Sequence, residues 1–238
     1  MLSYDGTGYA GWQSQPDPPT IQALLTREAR RLCGEDARVT GASRTDAGVH
    51  ALRQTVSLTT TSPLPPAAIL GALNAALPPD IRVRDVREAA PGFHARFAAR
   101  GKRYLYLIDN ARVGSPLLRR VAWHVPVRLE IERMRAGLAA LRGRHDFSAF
   151  RAAAGREQAP VCTVRALHVF RRADRVALLI SADRYLHHMV RTIVGSAVEI
   201  GRGAKSPEWL AEVLAGGDRR RAGPTAPAHG LTLVRVTY

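Results

Sequence analysis

Apolar positions recur along this chain with two different periods, and the periods alternate in a regular order. A short strand is expected at Leu2–Asp5, ahead of a glycine-rich turn. From about Thr20, the spacing of Ile21, Leu24, Leu25 and Leu32 gathers apolar side chains on one face of a helix. A strand near Ala37–Ala42 follows, then a loop carrying Arg-Thr-Asp, then a strand over Arg53–Thr60. In that strand Val56 and Leu58 alternate with Thr55, Ser57 and Thr59. The stretch SPLPPAAILGALNAAL reads as a helix ended by Pro78-Pro79, and Ile81–Val86 as a strand. The order is β-α-β-β-α-β, that of a ferredoxin-like lobe.

The second half repeats the order. GKRYLYLIDN is expected as a strand and Glu130–Leu141 as a helix. Two strands, Val161–Phe170 and Val176–Ala182, flank an Arg-Ala-Asp turn. A helix runs from about Leu186 to Ile200 on a stripe of Leu186, Val190, Ile193, Ala197 and Ile200. SPEWLAEVLAG makes a short second helix, and GLTLVRVTY closes as a strand. The pattern therefore predicts an α+β fold of two pseudo-symmetric ferredoxin-like lobes, residues 1–98 and 99–238. Their antiparallel sheets would carry helices on one face and leave a cleft on the other.

Composition adds a partner class. The 238 residues hold 35 basic and 20 acidic side chains, a net charge of +15. Lysine occurs only at Lys102 and Lys205, so nearly all the positive charge is arginine. Genomic base composition accounts for such an arginine excess, since Arg-for-Lys exchange leaves the charge alone, but not for the shortage of acids. A polyanion fits this balance, and guanidinium adds forked hydrogen bonding to phosphates and stacking on bases. A generally basic soluble protein is the bland alternative. No apolar run approaches the roughly 20 residues of a membrane span, and MLSYDGTGYAGWQ has no secretory pattern. Cys33 and Cys162 have no CxxC or ligand cluster nearby, which favours buried reduced thiols and a cytoplasmic location.

Three positions could carry chemistry. Asp46, in SRTDAGVHALRQTVSL, lies in a turn where a carboxylate is ordinarily a local cap. Gly48 supplies freedom for a sharp bend, and Arg44 two positions earlier suits an ionised carboxylate, a competent nucleophile or base. In KRYLYLI the period of two puts Tyr104 and Tyr106 opposite Leu105 and Leu107. With the leucines on the helices, the tyrosines and Lys102 would face the open side, suited to a base beside a phosphate. Ordinary strand aromatics are the alternative. Arg191 and His187, at i and i+4, would share a helix flank, where an arginine seeks a carboxylate or phosphate; the alternative is a surface arginine. A metal at His187-His188 is rejected because adjacent helical positions point about 100 degrees apart. The Arg219–Arg221 run reads as a solvated face. With no P-loop, GxGxxG helix, GxSxG or HExxH, a reaction on nucleic acid without cofactor or metal remains.

Taken in order, YDGTGYAGWQSQP, SRTDAGVHA, LNAALPPDIRV, FHARFAARGKRYLY, HDFSAF, YLHHMVRTIVGS and HGLTLVRVTY resemble the TruA-type tRNA pseudouridine synthases over nearly the whole chain. Ser43 stands where that family usually has glycine, a departure outside the Arg-Thr-Asp triplet. The resemblance implies two ferredoxin-like lobes over a basic cleft and a homodimer. It implies conversion of uridines 38, 39 and 40 of the tRNA anticodon stem-loop to pseudouridine, without a cofactor. It maps the nucleophile onto Asp46, with Arg44, the stacking Tyr104 and Arg191 beside it. A non-catalytic tandem RRM-like RNA-binding protein is the competing class, but its aromatic RNP motif is missing. A zinc deaminase would need an H-x-E…P-C-x-x-C set that the chain lacks.

Overall fold

The computed structural model describes residues 1–152 and 159–238. The first hundred residues form β1 (Leu2–Tyr4), α1 (Ile21–Cys33), β2 (Arg38–Gly41), β3 (His50–Gln54), β4 (Val56–Thr59), α2 (Pro66–Ala76) and β5 (Ile81–Val83). Then come β6 (Gly101–Asp109), β7 (Trp123–His124), α3 (Ile131–Ala139), β8 (Gly143–Asp146), β9 (Val161–Arg172) and β10 (Arg175–Ala182). The chain ends with α4 (Met189–Gly201), α5 (Trp209–Gly216) and β11 (Leu231–Thr237). The architecture is α+β. Two compact units divide it: Met1–Arg100 together with Thr232–Tyr238, and Gly101–Leu231.

In the first unit the strand order is β5-β1-β3-β11. β1 is antiparallel to both its neighbours, while β11 runs parallel to β3, pairing Thr232 with His50 and Leu233 with Ala51. α1 begins where the Thr20 hydroxyl accepts the Ala23 N–H, and ends at Gly34, whose φ of 101° an L side chain resists. Ile21, Leu25, Ala29 and Cys33, one every fourth position, form its buried stripe. Asn74 on α2 holds the outer edge of β5: its amide donates to the Val83 carbonyl at 2.8 Å and its Oδ1 accepts the Val83 N–H at 2.9 Å.

One expected strand, Arg53–Thr60, proves to be two. β3 belongs to the main sheet, whereas β4 pairs with β2 in a separate ribbon, Arg38 opposite Thr59 through Gly41 opposite Val56. The alternation of Val56 and Leu58 with Thr55, Ser57 and Thr59 lies wholly beyond Gln54, so it could not show the change of partner.

In the second unit β6-β10-β9-β8 are antiparallel, and β7 runs parallel to β6. The expectation of purely antiparallel sheets therefore fails at β11 and at β7. Val176, Leu178 and Ile180 on β10 lie opposite Ile108, Tyr106 and Tyr104 on β6, and all six are buried. Val190, Ile193, Ala197 and Ile200 are buried along α4 as the spacing predicted. α4 starts at Met189, later than the apolar stripe suggested, because His188 takes a left-handed conformation with φ of 62°.

Candidate active site

Asp46 lies in the loop joining β2 to β3. Beyond the ribbon pair Gly41–Val56, the Ala42 N–H still donates to the Thr55 carbonyl at 2.9 Å. The next pair in that register is Ser43 with Gln54, and there a side chain replaces the ladder. Gln54 Oε1 accepts the Ser43 N–H at 3.1 Å, and Gln54 Nε2 donates to the Ser43 carbonyl at 2.6 Å. Both residues are buried, so neither bond has water as a substitute partner. Two residues on, the Thr45 hydroxyl shares a hydrogen bond of 2.8 Å with the Tyr4 phenol, and the Thr45 carbonyl accepts the Trp12 N–H at 3.0 Å.

Burial alternates through the triplet. Ser43 and Thr45 point inward, Arg44 is exposed, and Asp46 is half-buried. The two inward residues are tied down, which leaves Arg44 and Asp46 as the outward pair. The loop then turns: the Val49 N–H donates to the Asp46 carbonyl at 3.1 Å, with Gly48 at φ 76°. That positive angle at the third turn residue is what a type II turn requires.

The glycine-rich turn near the N-terminus is the backing of this loop. A Cβ on Gly11 would lie 2.6 Å from the Thr45 carbonyl oxygen and 3.0 Å from the Ala47 nitrogen. A Cβ on Gly6 would lie 2.1 Å from the Val49 carbonyl oxygen. The Gly6 N–H also donates to His50 Nδ1 at 3.0 Å. Gly6 and Gly11 thus let two backbone segments touch.

In the second unit, Lys102 is half-buried on β6 and its carbonyl lies 3.2 Å from the Tyr185 hydroxyl. Tyr104 and Tyr106 do not stand on an open face as expected. Both are buried, and Leu105 and Leu107 are the less buried pair. The reason is aromatic packing. Tyr104 meets Tyr185 edge-on at 5.0 Å, and Tyr106 meets Trp123 edge-on at 6.4 Å. The Tyr185 hydroxyl lies 2.8 Å from the Ile180 carbonyl, and that of Tyr106 donates to Pro227 at 2.7 Å. Burial pushes both of these phenols well above their ordinary pKa, so both remain donors at neutral pH.

Arg191 sits in the first turn of α4, half-buried, and is held by one residue in two ways. Its Nε donates to the Ala226 carbonyl at 2.8 Å, and its own carbonyl accepts the Ala226 N–H at 3.1 Å. The segment making this clamp lies directly on the helix: the Gly223 N–H donates to Ser196 Oγ at 2.9 Å, and a Cβ on Gly195 would fall within 1.8 Å of the Pro224 carbonyl oxygen. His187 is exposed and precedes α4, so it and Arg191 are not neighbours on a helix flank. The helical argument separating His187 from His188 also fails, because their ring centroids are 4.0 Å apart ahead of the helix.

Gln54, Tyr185 and the Gly223–Ala226 segment are the parts of this arrangement that sequence reasoning did not single out. A glutamine at an inward strand position was the one available signal.

Residues 1–98 and 138–238 match the family described as tRNA pseudouridine synthase. A protein of Myxococcus xanthus named tRNA pseudouridine synthase A is 46% identical over 238 residues, spanning 100% of this chain and 90% of its own length. One of the same name from Methylococcus capsulatus is 45% identical over 239 residues, spanning 100% and 88%. Another, from Acetivibrio thermocellus, is 41% identical over 238 residues, spanning 100% and 98%.

Proposed function

The chain belongs to the tRNA pseudouridine synthase family, and from that premise we propose that Asp46 is the nucleophile acting at C1′ of a uridine in the anticodon stem-loop. The enzyme isomerises uridine to pseudouridine in tRNA. An Asp46 carboxylate oxygen bonds to C1′ as the N1–C1′ bond breaks, the uracil turns, and C5 displaces that oxygen from C1′, while the C5 proton leaves and N1 gains one. Nothing is consumed, so the protein has to supply positioning and charge alone. The reading as a non-catalytic RNA-binding module finds no support in the relatives, whose names are those of synthases.

The observation that carries the proposal is the held loop. Ser43 and Thr45 are fixed by Gln54, Tyr4 and Trp12, which presents Arg44 and Asp46 outward on a short rigid span. The exposure of Arg44 suits a side chain that enters the RNA as the target base leaves its stack, a step costing a few kcal/mol. Tyr104 is proposed to meet that base through the small part of its surface left exposed, with Lys102 and His187 contacting the substrate, and Arg191 to contribute charge to the same turnover. For Arg191, the two bonds to Ala226 supply the rigidity such a role needs.

The targets are proposed to be uridines 38, 39 and 40, and the enzyme to be a cytoplasmic homodimer. Each unit is read as a ferredoxin-like lobe. In the first, β5-β1-β3 supplies three positions of that order; in the second, β6-β10-β9 supplies three.

Tritium release from tRNA labelled as [5-³H]uridine tests the central assignment. Wild-type protein is expected to release tritium, and Asp46→Asn to bind the same tRNA without releasing it. Turnover by Asp46→Asn near the wild-type rate would remove Asp46 from the chemistry.

A further inference from the structure

Phe97 is 77% exposed, yet the turn that carries it is tightly held. The Ala95 N–H donates to Ser57 Oγ at 2.8 Å, and the Tyr238 hydroxyl donates to the Ala95 carbonyl at 2.8 Å. The Ala98 N–H donates to the His94 carbonyl at 2.9 Å. His94 Nδ1 accepts the N–H groups of both Arg96 and Phe97, each at 3.2 Å, which fixes the imidazole as well as the backbone. That imidazole stacks on the Phe97 ring, centroids 4.3 Å apart and planes 28° off parallel. The Arg96 guanidinium carbon lies 5.7 Å from the same ring centroid.

A scattered surface apolar residue is ordinary. A phenyl ring whose plane is set by a stacked partner is different: it offers one flat face to solvent in a fixed orientation. Every nucleobase has a matching π face, and an arginine beside the ring suits the phosphate that comes with a base. A protein contact at the same place would bury Arg96 without an assigned counter-charge, which disfavours it.

We propose that Phe97, backed by His94 and flanked by Arg96, is a stacking platform for an unpaired nucleobase of the tRNA other than the target uridine. This rests on the tRNA-modifying function above. The ring holds the substrate in register, so it acts on binding and not on bond making.

The test is steady-state tritium release from [5-³H]uridine-labelled tRNA with Phe97→Ala, Phe97→Leu and Phe97→Trp, alongside sedimentation of each variant. Loss of one stacked base raises KM by about tenfold. Phe97→Ala and Phe97→Leu are expected to show that rise, with the loss falling on KM and not on kcat. Phe97→Trp should stay within twofold of wild type, and the fluorescence of its introduced indole should be quenched by the tRNA beyond any quenching seen in wild type. A KM for Phe97→Ala within twofold of wild type overturns the platform. So does a Phe97→Leu enzyme as good as Phe97→Trp, because shape alone would then suffice. A change in sedimenting mass for Phe97→Ala overturns it too, by assigning the ring to a protein contact. Wild-type protein that releases no tritium would instead strike the underlying function, whatever the variants do.

Discussion

Gln54 occupies an inward strand position, where a polar side chain costs free energy unless each of its atoms is paired. Both ends of its amide are paired with the Ser43 backbone, so this one residue finishes the ribbon and starts the Arg44-Thr45-Asp46 span. Gln54→Ala strands a buried N–H and a buried carbonyl. It is expected to lower stability by about 1–3 kcal/mol, read as a lower denaturant midpoint. Tritium release should fall at least tenfold even under conditions where the variant remains folded, because Asp46 loses its fixed placement. An unaltered rate in folded Gln54→Ala would show that the bonds of Thr45 to Tyr4 and Trp12 suffice to position the loop. Asp46 and Arg44 could be singled out as candidates because the chemistry proposed for them is carried by residue type in a short motif. Gln54 could not, since its role depends on the register that puts it opposite Ser43.

At the scale of elements, the spacing of apolar residues located α1, α2, α3 and α4 and most of the strands, because burial of one face is what selects each period. It misplaced the start of α4, where Leu186 is buried but not helical. Burial is a property of the side chain; helix is one of the backbone, and the left-handed His188 separates the two. It also misjudged which face of β6 is covered, since Tyr and Leu both bury well and the pattern ranks neither first. The segment Gly223–Ala226 carries no periodic signal because its partners are Arg219 and residues of α4. Gly195→Ala tests that contact. Its new methyl would press on the Pro224 carbonyl, shift the segment and disturb the two Ala226 bonds to Arg191. A stability loss of about 1–3 kcal/mol is expected from overpacking, seen in a thermal melt. The rate of tritium release well below the melting temperature should drop as well.

For the molecule as a whole, the excess of 35 basic over 20 acidic residues sets the physics of meeting a polyanion. Each neutralised phosphate releases counterions, so tRNA affinity should fall linearly with log salt, with a slope of about −0.7 to −0.9 per phosphate contact. Filter binding between low and moderate salt is expected to give a slope of several units; a nearly flat line would mean that few arginines touch the backbone. Chain order and spatial grouping also diverge at this scale. Thr232–Tyr238 groups with the first hundred residues, where β11 lies beside β3 and Tyr238 bonds to Ala95. No local pattern encodes that return.

What the sequence determined by itself was the set of elements and the polyanion partner class, and it singled out the Arg44-Thr45-Asp46 triplet that is proposed above as the place of chemistry. Those follow from side-chain type and period, which are local. Only the tertiary structure decided that a ribbon ends in a glutamine amide, that the tyrosines of β6 are packed inward, and that Arg191 is clamped by a distant loop. Such facts depend on which backbone atoms are left unpaired once the strands have chosen partners, and distant parts of the chain decide that together.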